Sequence, residues 1–271
     1  VSLIRQDLFS RVDLVQTAID RLRFYEPIAL QMHPDGFFVA DSGGKDSGAI
    51  VRLAQMAGVK HTCHYHPTTI DPPELLRFLR KHRPDTRWGK PKISMWKLIE
   101  KKMMPPTRLI RYCCEHLKEH GGVGRFVVLG VRWKESQARS KRQMVDACYK
   151  SGTTRRLLSP IIEWTEADVW EFHRQEKIPY CSLYDEGFKR LGCIGCPCGG
   201  RKTQEKEFER WPHHKKLWIK AFQAACDARR DKARKNYKGP RPVWTDGQAV
   251  FDWWLGIEEP LEPGDNGPLF G

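Results

Sequence analysis

FFVADSGGKDSGAIVRLAQMAG, running from Phe37 to Gly58, is the stretch whose reading decides the fold. Phe37, Phe38, Val39 and Ala40 form a short apolar, β-prone run that enters a glycine turn, Ser42-Gly43-Gly44-Lys45-Asp46-Ser47. Ile50, Val51, Leu53, Ala54 and Met56 then recur at helical spacing. Strand, glycine turn and helix together present backbone N–H groups and a positive dipole end to an anion. Gly43 and Gly44 let the backbone approach a ligand closely, Lys45 adds a point charge, and Ser42 and Ser47 can donate hydroxyls. A Walker A loop would need GxxxxGK followed by Ser or Thr. Here Gly-Gly directly precedes the lysine and Asp46 follows it, so an ordinary βα turn stays open beside an anion loop. Asp41, just before the turn, is unfavourable beside an anion unless it meets a metal or a lysine.

Outward from this stretch, Leu3 to Leu22 carries apolar residues at helical spacing and predicts an N-terminal helix. His33-Pro34-Asp35-Gly36 is a turn before the first strand, and Val59 to His66 predicts a second strand. Alternation scatters His61, Cys63, His64 and His66 over both faces of that strand, which argues against a metal site there. Pro73 opens a helix through Lys81, and Ser94 to Lys102 reads as another, broken by Met103-Met104-Pro105-Pro106. Arg125 to Val131 is a buried-strand candidate that delivers Arg132 to its end. Thr165 is an N-cap with Asp168 at the capping-box position, before a helix through Arg174. Two domains are expected: residues 1–190, with the turn, and a basic, cysteine-bearing helical lobe and tail over 191–271. Glu258 to Gly271, rich in Gly and Pro, reads as loose.

The 271 residues suffice for one substantial core, and the formal net charge is +14. From Lys189 to Arg241 there are 16 Lys and Arg against 5 Asp and Glu. Such a surface suits a polyanion, although a solubilising surface reads the same way. No apolar run reaches the length of a membrane span and the first residues lack a signal-peptide layout, so a soluble, cytoplasmic protein is expected. Nine cysteines in a chain this long do not make a disulfide scaffold; clustered ones point to metal, cluster or redox chemistry. Cys113 and Cys114 are adjacent, and Cys193 and Cys196 form a CxxC with Cys198 two residues on. Cys63, Cys148, Cys181 and Cys226 read as buried small apolar residues.

SGGKDS resembles the signature of the PP-loop ATP pyrophosphatases and their relatives, the phosphoadenylyl sulfate (PAPS) reductases. Gly130-Val131-Arg132, with Glu135, Ser136 and Arg139 following, resembles a second hallmark of that superfamily. A CC pair followed by a CxxC resembles the [4Fe–4S] arrangement of one reductase branch, and of the sulfur-transfer subunits of DNA phosphorothioation systems. The resemblance covers roughly residues 30 to 200. It implies an α/β fold of the adenine nucleotide alpha hydrolase type: a mainly parallel twisted sheet flanked by helices, with a helical, cysteine-containing C-terminal lobe. It also implies that ATP with Mg²⁺ is split between its α and β phosphates, with Lys45, Asp46 and Arg132 catalytic. Ser42, Gly43, Gly44, Lys45, Asp46, Ser47, Arg132, Glu135 and Arg139 would bind the nucleotide. Cys113, Cys114, Cys193 and Cys196 would hold the cluster; structural zinc on the same thiolates, or with Cys198 substituting, and free thiols are the alternatives.

The activity implied is an ATP pyrophosphatase that activates an acceptor for sulfur transfer, with sulfur from a cysteine desulfurase or another donor. The basic segment after Lys202, interleaved with Trp211, Trp218 and Tyr237, would suit a nucleic-acid acceptor, although these aromatics equally suit a helical core. A reductase acting on PAPS or APS is the alternative. Its nucleophilic cysteine lies on the tail in the family, whereas Asp227 to Gly271 contains none here, leaving Cys198 or Cys226 as a displaced nucleophile. A nucleotide-binding module without turnover, docked on a nucleic-acid complex, is the third reading.

Overall fold

Asp13 decides how the N-terminal segment folds. In the computed structural model, which describes residues 2–6, 11–119, 121–148, 155–234 and 246–257, Ile4–Gln6 (β1) pairs antiparallel with Arg11–Asp13 (β2). The helix Leu14–Met32 (α1) begins only after that hairpin, so the helix expected from Leu3 starts eleven residues later and runs ten further. The Asp13 carboxylate accepts the backbone N–H groups of Val15 at 3.0 Å and Gln16 at 3.3 Å, which fixes the N-cap and releases the upstream residues to pair as strands.

The remaining elements are, in chain order, β3 (Phe37–Ala40), α2 (Lys45–Ala57), β4 (His61–Tyr65), α3 (Pro73–His82), β5 (Arg87–Trp88), α4 (Met95–Lys102) and α5 (Tyr112–Leu117). After these come β6 (Phe126–Val128), α6 (Gln137–Ser140), β7 (Val145–Cys148), β8 (Arg155–Leu158), α7 (Glu166–Gln175), α8 (Arg201–Arg210), α9 (Pro212–Arg234) and α10 (Gly247–Leu255). The chain packs as two compact units. One is drawn from Val1–His66, Pro73–Lys90 and His120–Gly192, the other from Pro67–Pro72, Pro91–Glu119 and Cys193–Gly271. Tyr237 and Glu258 to Gly271 lie outside the described residues.

The first unit holds a six-stranded sheet of order β5-β4-β3-β6-β8-β7, parallel throughout except that β7 runs antiparallel on the β8 edge. Phe37, Phe38 and Val39 are all buried, as a strand covered on both faces requires. Val39, Phe126, Val128 and Leu158 share a core with Leu22 of α1, Ile50 and Leu53 of α2, Phe172 of α7, and Trp164. From β3 the chain builds outward to β4 and β5 on one side, and from β6 to β8 on the other. The order therefore reverses between β3 and β6, and their carboxyl ends form the crevice where open α/β sheets take ligands. The predicted strand over Arg125 to Val131 is only Phe126–Val128, and Gly130 beyond it approaches the Asp46 backbone so closely that a Cβ there would lie 2.9 Å from it.

In the second unit α4 and α10 both pack on α9. Trp218 is fully buried, stacks on Trp254 at 4.7 Å and meets Trp96 edge-on at 5.6 Å; Trp211 is also buried. These two tryptophans are core rather than a stacking surface. Among the described residues no helix is long and apolar enough to cross a membrane.

His64 gives the first unit a pH dependence. Burial first, then Arg125 and Arg87, lowers its imidazole to about 4, while its ring stacks on Phe38 at 4.0 Å. The unfolded chain, near 6.5 at this group, then binds the proton the folded state refuses, so stability is full above about 6.5 and falls as pH drops toward 4. Urea midpoints measured from pH 7 down to pH 4 should fall, and His64→Gln should flatten part of that slope.

Candidate active site

The loop between β3 and α2 is organised by the residue that looked out of place. Asp41 is 1% exposed and accepts from the Gly43 N–H at 3.0 Å, the Ser47 hydroxyl at 3.1 Å and the Thr86 hydroxyl at 3.1 Å, with Arg83 at 3.8 Å. Neither a metal nor a lysine is needed to account for it: an arginine and two hydroxyls from the loop and the turn after α3 satisfy the carboxylate. Gly43 takes the left-handed conformation (φ +73°), and a side chain there would strike Leu75 of α3. Ser47 Oγ also lies 2.9 Å from the Gly44 carbonyl, so its single proton is shared between that carbonyl and Asp41 and the hydroxyl shapes the loop from inside, whereas Ser42 is exposed.

Lys45, Asp46 and Arg132 converge. Arg132, at the end of β6, places Nε 2.6 Å from one Asp46 oxygen, and Lys45 Nζ stands 3.4 Å from the other. Lys45 also reaches Glu166 at 3.6 Å and donates to the Lys189 carbonyl at 3.3 Å. Both cations are buried, at 5% and 3% exposed, and the half-buried Asp46 is their shared counter-ion. Glu135 accepts the Arg132 backbone N–H at 2.8 Å and pairs with Arg139, so it props the arginine turn. Burial first, then Arg190, Arg142 and Arg132, pulls the Arg139 guanidinium below its usual range; like charges gather here with few carboxylates to offset them. A Cβ at Gly130 would lie 2.9 Å from the Asp46 backbone. Gly130→Ala is therefore expected to push Asp46 away from Arg132 and to destabilise by about 1–3 kcal/mol, read from urea unfolding.

Two residues that sequence reasoning passed over clamp Lys45 by its backbone. Tyr184 accepts the Lys45 N–H on its hydroxyl at 2.9 Å, and His173 of α7 binds the Lys45 carbonyl through Nε2 at 2.8 Å. Burial raises the Tyr184 phenol well above its usual range and lowers the His173 imidazole, whose Nε2 is the donor because the Lys45 carbonyl can only accept. Tyr184 stands in a 3₁₀ turn, Ser182–Tyr184, with neither periodicity nor motif to single it out.

The candidate ligand cysteines all belong to the second unit. Cys113 donates to Cys114 and lies within charge range of Cys193 and Cys196. That bond, then burial, raises the Cys113 thiol far above its usual range; the same bond, against the opposing effect of burial and helped by Lys118 and Arg111, lowers Cys114 to about 6. Burial, then Cys193, lifts Cys196 to about 12. Lys118 hydrogen-bonds to Cys193 and Arg111 to Cys198. Among the described residues no group of three or more His, Cys, Asp or Glu stands ready in metal-holding geometry, in the strand β4 histidines or here. The donor set is nonetheless the right one for a thiolate-ligated centre: soft sulfurs from two segments within charge range of one another, with two cations to offset their charge. Cys181 and Cys226 are buried, as expected of small apolar residues; Cys63 is half-buried, and the side chain of Cys148 lies outside the described residues.

The mainly parallel sheet thus carries a glycine loop at its switch point, with Lys45, Asp46 and Arg132 paired there. The chain belongs to the phosphoadenosine phosphosulfate reductase domain family, whose model matches residues 36–198. It is 30% identical over 84 residues to an adenosine 5'-phosphosulfate reductase of Oceanobacillus iheyensis, covering 31% of this chain and 34% of that one. An uncharacterized protein of Methanocaldococcus jannaschii is 28% identical over 195 residues, covering 66% of this chain and 45% of that one. The chain thus spans about a third to under half of the length of these curated relatives. The solved PAPS reductase of Candida auris, a phosphate complex, superimposes with a TM-score of 0.48 at 20% identity, over 65% of this chain and 88% of that one.

Proposed function

We propose that this chain binds ATP with Mg²⁺ at the β3–α2 loop and splits it between the α and β phosphates, adenylating an acceptor for sulfur transfer. The observation that carries this reading is the pairing of two buried cations, Lys45 and Arg132, on the single carboxylate of Asp46 at the end of the sheet. An entering polyphosphate offers those cations more charge than Asp46 does. It would take over as their counter-ion and displace the Tyr184 hydroxyl from the Lys45 amide. As an acceptor oxygen attacks the α-phosphorus and pyrophosphate leaves, Lys45, Arg132 and the loop amides stabilise the charge that moves onto the leaving oxygens. Ser42, Gly43, Gly44, Asp46 and Ser47 shape that cradle, while Glu135 and Arg139 hold the arginine turn.

Cys113, Cys114, Cys193 and Cys196 would hold a [4Fe–4S] cluster, which supplies a redox-active, sulfide-rich centre when bound. Zinc on the same thiolates is the competing assignment. The acceptor in this reading is a nucleic acid, favoured by the basic residues of α8 and α9, with sulfur supplied by a cysteine desulfurase or another donor.

A second reading, reduction of PAPS or APS, is favoured by the name of the Oceanobacillus relative. It needs an accessible nucleophilic thiol. Cys226 is buried in α9, and burial raises its thiol, which speaks against it; half-buried Cys198, beside Arg111, is the better candidate. Pyrophosphate release from ATP, set against sulfite release from PAPS or APS with thioredoxin, separates the two readings. Sulfite formation lost in Cys198→Ser, without pyrophosphate release, would overturn the first. Iron and acid-labile sulfide after anaerobic purification test the cluster, and tightly bound stoichiometric zinc would sink it.

A further inference from the structure

Beside the loop, within the first unit, lies an open cleft of about 540 Å³ whose walls include Trp170, Tyr180 and Tyr184 and whose rim carries Arg174, Lys177 and Asp185. Its volume falls in the range of small-ligand sites. The aromatic rings meet one another edge-on: Trp170 lies 5.2 Å from Tyr180 and 5.0 Å from Tyr184, each near perpendicular, and the two tyrosines are 6.3 Å apart. In each of these pairs the edge of one ring rests toward the face of the other, and Lys45 Nζ stands over the Tyr184 ring, 5.7 Å from its centroid. Tyr180 is 44% exposed at the mouth, held by a 3.1 Å hydrogen bond to Asp185.

The rim has a second peculiarity. Helix α7 ends in a Schellman-type turn, with the Ile178 N–H on the His173 carbonyl at 2.9 Å and the Lys177 N–H on the Arg174 carbonyl at 3.3 Å. The residue in the left-handed conformation there is Lys177, with φ +51°, where glycine would sit without strain. A cation therefore stands at a position whose backbone disfavours it, and it borders the cleft. Arg174 adds a second charge, partly committed to Glu171. The same cleft reaches the loop through Tyr184 and His173, which hold the amide and carbonyl of Lys45.

We propose that this cleft is a base-binding subsite, in which a nucleobase stacks on the exposed ring of Tyr180 while Lys177 and Arg174 meet its phosphate. Planar faces flanked by cations select a heteroaromatic ring joined to an anion, and Asp185 offers an acceptor to an exocyclic amine. The ring can belong to a single-stranded nucleic acid or to a free nucleotide. The proposal deepens the reading of the chain as a nucleotide-activating enzyme with a nucleic-acid acceptor.

The test uses the full chain with four probes: short single-stranded oligodeoxyadenylate, its abasic counterpart, AMP and ribose 5-phosphate. Base-bearing probes should bind more tightly than base-free ones. Tyr180→Ala, at an exposed position, should weaken only the base-bearing probes, by roughly 5- to 100-fold, the scale of one stacking contact. Lys177→Gly should lower the salt slope of oligonucleotide binding by about one while the thermal midpoint holds or rises, since glycine suits the turn better. A preference confined to oligodeoxyadenylate identifies a strand as the source, and one shown by AMP as well identifies the nucleotide. Equal binding of base-bearing and base-free probes, or indifference of all four to Tyr180→Ala, overturns the proposal. Absence of pyrophosphate release from ATP alongside intact base-dependent binding would instead remove the proposed function and leave the subsite standing.

Discussion

Lys45→Met is expected to lower pyrophosphate release from ATP by about 10²–10³-fold, the effect of deleting one preorganised donor to a charge that grows in the transition state. Methionine fills the buried channel of the lysine stem and removes only the ammonium. Asp46 keeps Arg132 at 2.6 Å, and Glu166, half-exposed, turns to water, so the fold should stay within about 1 kcal/mol of the parent. Steady-state pyrophosphate release and urea unfolding, run on the same preparation, separate the two effects. A variant that unfolds in step with its loss of activity would mean that Lys45 is a structural ion rather than a catalytic one.

Asp46→Ala is expected to act in the opposite sense, on stability before chemistry. It leaves Arg132, 3% exposed, without its carboxylate and Lys45, 5% exposed, with only the half-exposed Glu166 at 3.6 Å. Stripping one partner from a buried pair costs about 3–5 kcal/mol, because the remaining charge is neither solvated nor compensated. If a polyphosphate occupies the same place, millimolar pyrophosphate should restore much of the lost stability, since a ligand that binds only the folded state stabilises it by mass action. The check is the thermal midpoint of parent and variant, each with and without pyrophosphate. A variant that is no less stable than the parent, or one that pyrophosphate does not rescue, contradicts the account of the anion cradle.

Much of the framework around this loop could be read from the chain because its determinants are local. The strand, glycine turn and helix from Phe37 to Gly58 need only neighbouring residues, and Thr165 caps α7 through Asp168, three positions on. What escaped reading depends on long-range contact. Asp41 looked wrong because Thr86 and Arg83, which complete its shell, lie more than forty residues away. Tyr184 and His173 reach Lys45 across more than a hundred residues, and neither sits in a pattern that announces it. The N-terminal helix was misplaced for a different reason: a helical period over Leu3 to Leu22 could not reveal that Asp13 would cap at its own position and turn the first residues into a hairpin. Trp211 and Trp218 were ambiguous because an aromatic in a basic helix serves a core or a base equally well; α4, α9 and α10 resolve it by closing over Trp218.

The most direct measurement is the fate of ATP labelled at its α-phosphorus, incubated with the intact protein, Mg²⁺ and a single-stranded oligonucleotide. Cleavage at the site formed by Lys45, Asp46 and Arg132 predicts label in AMP or on the oligonucleotide, matched by pyrophosphate, and both should disappear together in Lys45→Met. Label in ADP with orthophosphate as the partner product, or unchanged ATP under conditions in which the protein forms sulfite from PAPS or APS, would contradict it.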